Sequence, residues 1–513
     1  DRVGWVIEND GLTQTLDKKG GIRAFKVIWQ VTLSGKTGEE MTAVKEPIKR
    51  YKELPGPPGL PLLGNLFQFR FDAMHQKLER WADVYGPLYR FRLGPKKLAV
   101  LSDVDAIKRI HRDRPDMFRR TRAVEACSRE MKIAGVFSVE GDDWRRQRKI
   151  VAMALNSAHL RAFFPKLRAT SERLFGRWRL FAQQEAEIDL CQELMRLTVD
   201  VITQLAFGID FNTIEKEGPV IQQNMDKVFP MLNRRVNAPF AYWRHFKLAK
   251  DRELDRALEH LEQQVDEIIK GVRRRMEVEP ALFNHPTNFL EAIIAAKESE
   301  GVDFSDADIF ANVCTLLLAG EDTTANTIAW TVNYFMEYPE YLAKAREETD
   351  RVLGNSYLAG EIDQLSELPF LEAFYNESMR LKPVAPLGAV EPLQDTEILG
   401  YQIPRGMVIM TLHRHVACQE ENFYKGSTFD PERWLTTKNE LSCSHDTTAF
   451  IPFGMGPRFC PGRNLALLQI KEVLSMLIKN FDFELCDQRL PVKEKLAFAM
   501  MPRNLNVRLR ERV

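Results

Sequence analysis

The spacing of apolar and polar residues predicts a mainly helical protein. From about residue 72 onward, apolar residues recur mostly every three or four positions, which is the period of an amphipathic helix. In two short runs, residues 86–93 and 97–101, apolar and polar residues instead alternate, which predicts a β-hairpin. Proline and glycine clusters at 383–405 and 426–434 predict loops and short strands between the last helices. We therefore expect a helical body with a small sheet.

Two segments near the N terminus differ from this helical body. Residues 24–33 form an apolar run between glycines and predict a strand. Residues 54–65 carry closely spaced prolines and glycines, which are incompatible with a helix. We expect this stiff ribbon to fix the direction of the chain, and a polyproline-binding partner is the alternative. The predicted organisation is an extension of unknown role at 1–50, followed by one large domain at 51–513.

Composition and charge are those of an ordinary globular protein. The 513 residues include 72 basic and 72 acidic side chains, so no overall charge recruits nucleic acid or an anionic membrane. Seven scattered cysteines without a Cys-x-x-Cys pair indicate a reducing compartment and argue against a disulfide framework or a zinc site. No apolar run reaches about 18 residues, so no transmembrane segment is expected. These features predict a cytoplasmic protein, with a membrane-associated protein whose anchor has been removed as the alternative.

The most informative motif is a glycine-rich loop at residues 453–462 that surrounds Cys460. Gly456 and Gly462 allow positive φ and close backbone approach, and Pro461 suits the first position of a following helix. The N-terminal end of that helix would face the sulfur and lower the pKa of the Cys460 thiol, which favours an anionic metal ligand. Taken alone, the loop could equally hold a buried free cysteine.

The arrangement Phe-x-x-Gly-x-Arg-x-Cys-x-Gly in this loop resembles the haem-binding loop of the cytochrome P-450 family. The resemblance implies that Cys460 is the axial thiolate of the iron of haem b (iron protoporphyrin IX), and hence the metal ligand. It implies that Phe453 packs beside the sulfur, that Arg458 pairs with a haem propionate, and that Gly462 belongs to the cofactor-binding loop. Residues 51–513 would then be the haem-thiolate catalytic domain.

Two other segments resemble motifs of the same family. Glu377 and Arg380 lie three positions apart on a helix predicted to end before Pro383, and Arg433 follows in a Pro-Glu-Arg segment. The resemblance to the family's Glu-x-x-Arg helix and Pro-Glu-Arg segment implies a lattice of ion pairs on the proximal side. In this interpretation Glu377, Arg380 and Arg433 are structural and take no part in the chemistry.

A second helical stretch, residues 309–330, contains the sequence Ala-Gly-Glu-Asp-Thr-Thr. Gly320 costs about 1 kcal/mol relative to alanine in a helix interior, so we expect a geometric reason such as the approach of a flat ring. Thr323 can divert a backbone carbonyl from the helix and open a kink. The resemblance implies that Asp322 and Thr323 are an acid–alcohol pair that delivers protons during dioxygen activation. For an isolated motif, an Asp-Thr pair in a helix break is the alternative.

Residues 142–149 begin a helix with acids followed by basic side chains, and a solvated charged face is the simplest interpretation. The family resemblance of the Trp-x-x-x-Arg spacing implies that Trp144 and Arg148 contact the haem propionates. The other basic side chains of this segment, together with Lys471, would form a proximal face for an acidic electron donor. Those in the segment are Arg145, Arg146 and Lys149.

One segment departs from the family pattern. Where many members place an arginine or histidine for the second propionate, residues 388–391 read Gly-Ala-Val-Glu. His413 and Arg414 are the candidate substitutes. By the same resemblance, mostly apolar or small residues line the distal pocket, at 122–137, 311–323, 384–389 and 498–501. An aromatic-rich segment at 228–243 predicts a mobile, loop-like lid over an entry channel, with helix packing as the alternative.

The resemblance as a whole implies a mainly α fold, a triangular helical body with a small β-rich subdomain. The expected reaction is monooxygenation: one atom of dioxygen enters a hydrophobic substrate, such as a fatty acid, terpenoid or steroid-like molecule, and two electrons come from outside. The donor would be a separate ferredoxin, flavodoxin or flavin reductase. The motifs, together with the lack of a long apolar run, suggest a soluble, bacterial-like member of the long-chain, microsomal-like type. The alternatives are a haem-thiolate peroxygenase, an isomerase or dehydratase, and a haem-responsive sensor.

Overall fold

The computed structural model describes residues 47–216, 220–238, 240–300, 304–435 and 445–512, together with 6–7 and 13–14. The strand predicted at 24–33 lies outside these residues. The chain divides into two compact units, Asp1–Pro47 and Ile48–Val513. In the first unit, strands β1 (Val6–Ile7) and β2 (Thr13–Gln14) pair antiparallel.

Helices dominate the described part of the second unit, as expected for a mainly α fold. They are α1 (Met74–Tyr85), α2 (Val104–Arg112), α3 (Arg122–Glu130), α4 (Gly141–Ala154), α5 (Ser157–Gln183), α6 (Leu190–Phe207), α7 (Val220–Asn237), α8 (Ala249–Val278), α9 (Ala281–Asn284), α10 (Phe289–Glu300), α11 (Asp306–Glu337), α12 (Pro339–Leu353), α13 (Pro369–Leu381), α14 (His413–Cys418) and α15 (Arg463–Asn480). The long helix α11 packs against α6, α13 and α15, and apolar side chains from these helices form the main core.

The remaining strands form small sheets. They are β3 (Lys49–Arg50), β4 (Leu88–Leu93), β5 (Lys96–Leu101), β6 (Phe118–Arg120), β7 (Glu187–Asp189), β8 (Leu387–Pro392), β9 (Thr396–Ile398), β10 (Tyr401–Ile403), β11 (Val408–Leu412), β12 (Phe481–Leu485), β13 (Lys493–Leu496), β14 (Met500–Arg503) and β15 (Asn506–Glu511). The largest sheet has the order β4-β5-β11-β8-β6, and only its β5–β11 pair is parallel. The others are β3-β10-β9, β12-β15-β7 and β13-β14.

The predicted hairpin is confirmed as β4 and β5, which pair antiparallel from Leu88 opposite Leu101 to Leu93 opposite Lys96. Gly94 makes the turn with a φ of 58°, a conformation that favours glycine. Residues 98–101 are all buried, because β5 lies between β4 and β11 inside the sheet.

The proline-rich ribbon at 54–65 contains no helix and runs beside β4. The backbone N–H of Arg90 donates to the Pro55 carbonyl at 2.9 Å, and Asn65 exchanges hydrogen bonds with Arg92. A Cβ at Gly56 would lie 2.0 Å from the Arg90 carbonyl oxygen, so only glycine permits this approach. The ribbon thus extends the edge of the largest sheet, in keeping with a role in directing the chain.

The segment predicted as a loop-like lid, 228–243, is helical over its first ten residues, where it forms the second half of α7. The loop prediction is therefore wrong for this part, even though Pro230 lies inside the helix. Val228, Met231 and Leu232 are buried, and α7 packs against α8. Burial of this apolar face outweighs the hydrogen bond that proline removes.

Candidate active site

The loop around Cys460 is held by two glycines with positive φ, Gly454 at 70° and Gly456 at 67°. A Cβ at Gly456 would lie 2.3 Å from the backbone oxygen of His111, so this glycine allows the loop to touch the end of α2. Gly462 differs from the expectation, because its φ is −83° and it is the N-cap of α15. Helix α15 begins at Arg463, two residues after Pro461.

The backbone N–H groups of Gly462 and Arg463 are directed at the Cys460 sulfur, and the Arg148 guanidinium adds positive charge nearby. Burial nevertheless dominates and raises the pKa of the Cys460 thiol. The prediction of a lowered pKa is therefore wrong for the free side chain, because desolvation outweighs the helix end. A thiol in such surroundings becomes a thiolate when a metal cation supplies the missing positive charge.

Phe453 begins the same loop, and its carbonyl accepts a hydrogen bond from the Cys460 N–H at 2.9 Å. Its half-buried ring packs against the main core and lies 5.9 Å from the Arg463 guanidinium. The backbone bond closes the loop into a tight turn, so Phe453 and Cys460 are held as neighbours.

Trp144 and Arg148 lie one turn apart on α4. The Arg458 guanidinium stacks on the buried Trp144 ring at 4.5 Å, and the Arg148 guanidinium lies 4.9 Å from the Phe459 ring. The structure thus brings Trp144, Arg148 and Arg458 together around the loop that carries Cys460.

Arg458 faces a group of buried cations that the motifs did not reveal. Its guanidinium pairs with Glu140 at 2.6 Å, and Arg114 lies 3.8 Å from the same carboxylate. Burial lowers the pKa of Arg458 to about 10, and burial together with repulsion from Arg114 and Arg458 lowers the pKa of Arg120 to about 9. Nitrogens of Arg114, Arg120 and Arg458 have no hydrogen-bond partner among the described residues.

Three buried guanidiniums close to one carboxylate leave an excess of positive charge in a low-dielectric site. Such a cluster is suited to carboxylates brought by a ligand, since a guanidinium binds a carboxylate through two parallel hydrogen bonds. The site therefore fits the two propionates of haem. Sequence reasoning found Arg458 but missed Arg114 and Arg120, because neither belongs to a spaced motif and only the fold places them beside Glu140.

Glu377 lies at the centre of a buried polar cluster. Arg380 donates to its two oxygens at 2.9 and 2.7 Å, and Arg433 donates at 3.1 Å. Trp434 and the backbone of Asp430 also donate to this carboxylate, each at 2.9 Å. Sequence reasoning paired the three charged residues but missed Trp434, the residue that follows Arg433.

Both arginines of this cluster also bind backbone carbonyls, Arg380 those of Ala417, Gly426 and Thr428, and Arg433 that of Tyr424. These bonds tie the long connection between α14 and Trp434 to α13. The Trp434 ring lies 4.8 Å from that of Phe450, three residues before the cysteine loop. The cluster therefore braces the approach to Cys460.

On α11, the Thr323 hydroxyl donates to the backbone oxygen of Ala319 at 2.7 Å. Helix α11 is continuous from Asp306 to Glu337, so the alternative of an Asp-Thr pair in a helix break is not observed. Burial raises the pKa of Asp322, which favours its protonated form. Ala319 is exposed, although residues 309–314 and 324–335 of the same helix are buried.

Gly320 faces helix α6. A Cβ at this position would lie 2.7 Å from the Cδ1 atom of Ile202 on α6. The missing side chain therefore lets α11 and α6 pack closely.

Of the two candidate substitutes for the missing base at 388–391, His413 lies beside Gly388 and Arg414 does not. A Cβ on Gly388 would lie 2.9 Å from the His413 Nε2 atom, which itself lies 2.9 Å from the Thr411 hydroxyl and 3.4 Å from the Nε2 of His111. Burial lowers the pKa of His413 to about 4. Arg414 points elsewhere, to Glu79 and Glu494.

Acidic side chains nearby pair with several residues of the predicted basic proximal face. Arg145 pairs with Asp142 and Asp116, and Arg146 lies 3.1 Å from Asp308. Lys471 lies 2.6 Å from Glu372. Much of the expected positive charge is therefore compensated within the protein.

Together, the helical fold, the cysteine at the start of α15 and the buried cations define a haem-thiolate protein. The chain belongs to the cytochrome P-450 family, whose sequence model, described as Cytochrome P-450, matches residues 54–509. Its cofactor is haem, and members of this family with similar sequences are monooxygenases, a class of oxidoreductase. These findings confirm the predicted family, fold class, cofactor and reaction class.

Similar proteins come from distant organisms. The chain is 26% identical over 446 residues to the chloroplastic protein LUTEIN DEFICIENT 5 of Arabidopsis thaliana, covering 84% of this chain and 73% of that protein. It is 24% identical over 492 residues to cytochrome P-450 27C1 of Danio rerio, covering 91% and 88%. A bifunctional cytochrome P-450/NADPH–P-450 reductase of Gibberella moniliformis is 26% identical over 475 residues, and the match covers 90% of this chain and 41% of that protein.

Solved structures share the fold. The crystal structure of the cytochrome P-450DA haem domain has a TM-score of 0.79 at 23% sequence identity, covering 90% of this chain and 98% of that one. Among the described residues, no helix combines the length and hydrophobicity needed to cross a membrane.

Proposed function

We propose that this protein hydroxylates a hydrophobic organic molecule at a haem whose iron is bound by Cys460. The observation that carries the proposal is the joint position of the buried Cys460 thiol and the partly unsatisfied guanidiniums beside Trp144. One group offers a soft anionic metal ligand and the other offers partners for carboxylates, and haem requires both. When bound, haem supplies the centre at which dioxygen is reduced with two external electrons.

The basic residues of this site divide between binding the haem propionates and stabilising the Cys460 thiolate. Arg458, Arg114 and Arg120 would hold the propionates, with Trp144 stacked on Arg458. Arg148 lies beside Cys460 and would stabilise negative charge on the sulfur. His413, which lies beside Gly388, would contact the second propionate.

Asp322 and Thr323 deliver protons. The raised pKa of Asp322 means that its carboxyl carries a proton to higher pH than an ordinary aspartate does. The Thr323 hydroxyl donates to the carbonyl of Ala319, an exposed residue between the buried stretches 309–314 and 324–335 of the helix. A hydroxyl in this position passes a proton onward while its own oxygen accepts another.

The substrate is expected to be hydrophobic, because aromatic side chains from three segments meet around Phe498 in the turn between β13 and β14. The Phe498 ring lies 4.4 Å from Phe229 and 5.9 Å from Phe137. A fatty acid, terpenoid or steroid-like molecule fits such a surface.

The electron donor we propose is a separate ferredoxin, flavodoxin or flavin reductase, and the location is the cytoplasm. Phe459 is 45% exposed next to Arg148 and Cys460, and this arrangement suits a short electron path from a docked partner. Reconstitution with one donor of each type, followed by NADPH consumption, distinguishes them. Turnover with peroxide but none with dioxygen and reductant would instead identify a peroxygenase.

The absorption spectrum of the reduced, carbon-monoxide-bound protein tests the site directly. A strongly red-shifted Soret band is expected for the natural sequence and should be lost in Cys460→Ser. Cys486→Ala is the matched control, because Cys486 is a partly exposed cysteine beyond α15, after β12. An imidazole-like band in the natural protein, or no binding of haem, would refute the proposal.

A further inference from the structure

The loop between α3 and α4 is held from two sides near Val136. Its N–H donates to the Oδ1 atom of Asn312 on α11 at 2.9 Å. On the other side, Arg458 of the cysteine loop donates to the carbonyls of Val136 at 3.3 Å and Val139 at 2.7 Å. A Cβ at Gly135 would lie 2.5 Å from the Ala311 carbonyl oxygen, so the loop lies directly on α11. Val136 is thus hydrogen-bonded through its N–H to α11 and through its carbonyl to the loop of Cys460.

A chain of buried polar groups determines how the Asn312 amide is turned. Its Nδ2 donates to Gln147 Oε1 at 3.0 Å and to the Asp308 carbonyl at 2.8 Å, while Gln147 Nε2 donates to the Asp308 carboxylate at 3.1 Å. Although burial raises the pKa of Asp308, hydrogen bonds from Ser305 and Arg146 lower it overall, so the carboxylate is ionised and only accepts. Gln147 must therefore present Oε1 to Asn312, which leaves Oδ1 for Val136.

The residue after Val136 is Phe137, which belongs to the aromatic cluster around Phe498. The Arg120 guanidinium lies 3.8 Å from its ring on one side, and Phe498 lies 5.9 Å away on another. Because Phe137 follows the anchored peptide directly, the position of Val136 sets the position of this ring.

We propose that Asn312 is a positioning residue that holds Phe137 in the wall of the substrate site and so determines which bulky molecules bind there. Asn312 and Thr323 lie on one continuous helix, about 16 Å apart along its axis at 1.5 Å per residue. Helix α11 therefore sets Phe137 and the proton-delivering pair at a fixed separation. The part of this proposal that concerns ligand binding rests on the proposed function.

The test compares Asn312→Ala with Asn333→Ala. Asn333 is a buried asparagine on the same helix whose amide donates to Glu337 on that helix at 2.6 Å. Hydrogen exchange of the Val136 amide, followed by mass spectrometry, should become about fivefold faster in Asn312→Ala, the factor for losing one amide hydrogen bond. It should be unchanged in Asn333→Ala.

Binding of two probes to the haem protein provides the second measurement. Imidazole is a single five-membered ring, whereas clotrimazole carries three aryl rings in addition to its imidazole. Clotrimazole should bind about fivefold more weakly to Asn312→Ala, with imidazole unchanged within about twofold, because only the large probe requires the ring to be in place. Asn333→Ala should bind both as the natural protein does.

The outcomes separate this proposal from the proposed function. Exchange at Val136 needs no haem, so a natural protein that binds no haem would refute the function while leaving the loop test intact. Equal acceleration in both variants, or equal weakening of both probes, would overturn the role of Asn312. If Asn312→Ala loses haem, Asn312→Ser replaces it, because serine still bonds the Asp308 carbonyl within the helix. Loss of haem from both variants would also contradict the proposal.

Discussion

The contribution of Glu472 on α15 to stability should fall as pH rises, because its carboxyl is buried and has no hydrogen-bond partner among the described residues. Its side chain is 0% exposed, and neither carboxylate oxygen has a partner among the described residues. Burial raises the pKa of Glu472 to about 8, only partly opposed by Arg168, whose Nε donates to the Ala359 carbonyl. The folded state therefore favours the protonated carboxyl, whereas the unfolded chain ionises near pH 4.5.

The direction and size of the pH effect of Glu472 follow from its pKa in the folded and unfolded states. The contribution of Glu472 is fully present below about pH 4.5 and is lost progressively as pH rises through 8. At pH 7 the contribution of Glu472 to the free energy of unfolding is about 3 kcal/mol smaller than at acidic pH, from about 2.5 pH units at 1.36 kcal/mol each. Glu472→Gln removes this titration, because an amide cannot ionise.

Urea unfolding of the natural protein and of Glu472→Gln at pH 5 and pH 8 measures how much stability the ionisation of Glu472 removes. Glu472→Gln should match the natural protein within about 1 kcal/mol at pH 5 and exceed it by a few kcal/mol at pH 8. Glu347→Gln, an exposed change on α12, is the control and should leave both values unchanged. A Glu472→Gln protein with the same pH dependence as the natural one would show that Glu472 is not the group responsible.

Two further changes test the helix α11. Thr323→Ala removes the hydroxyl bonded to Ala319. Reductant consumption should continue while product per NADPH falls by up to about 100-fold, the lower end of what a positioned proton donor contributes. Unchanged coupling would remove Thr323 from proton delivery. Gly320→Ala places a methyl group 2.7 Å from the Cδ1 atom of Ile202, an overpacking of about 1–3 kcal/mol. Alanine gains about 1 kcal/mol over glycine within a helix, so the free energy of unfolding should fall by about 0–2 kcal/mol. Adding Ile202→Val, which removes Cδ1, should recover part of this loss in urea unfolding, and a Gly320→Ala protein about 1 kcal/mol more stable than the natural one would contradict the packing role.

Local motifs proved most informative where the chemistry depends on neighbours in the chain. The residues around Cys460 share one loop, and the alternation at 86–101 predicted the β4–β5 hairpin. Glu377 and Arg380 are one helical turn apart, so their contact follows from helix geometry alone.

Expectations were wrong where two effects compete across the fold. The Cys460 pKa depends on burial as well as on the helix end, and burial is a property of everything packed around the sulfur. The motif at Gly320 also gave no sign of Ile202 on α6, over one hundred residues away, which lies against the position of the missing side chain. The helical part of 228–243 was given only as the alternative, because Pro230 argues locally against a helix that packing against α8 stabilises.

The sequence by itself determined the class of this protein, because the cysteine loop, the Glu377–Arg380 pair and the Asp322–Thr323 pair each consist of residues close together in the chain. Only the tertiary structure decided which side chains surround them. Arg114, Arg120 and Glu140 meet Arg458 through folding, and Asn312 meets Val136 across 176 positions. The physical reason is that burial and charge depend on distance in space, whereas a motif records only distance along the chain.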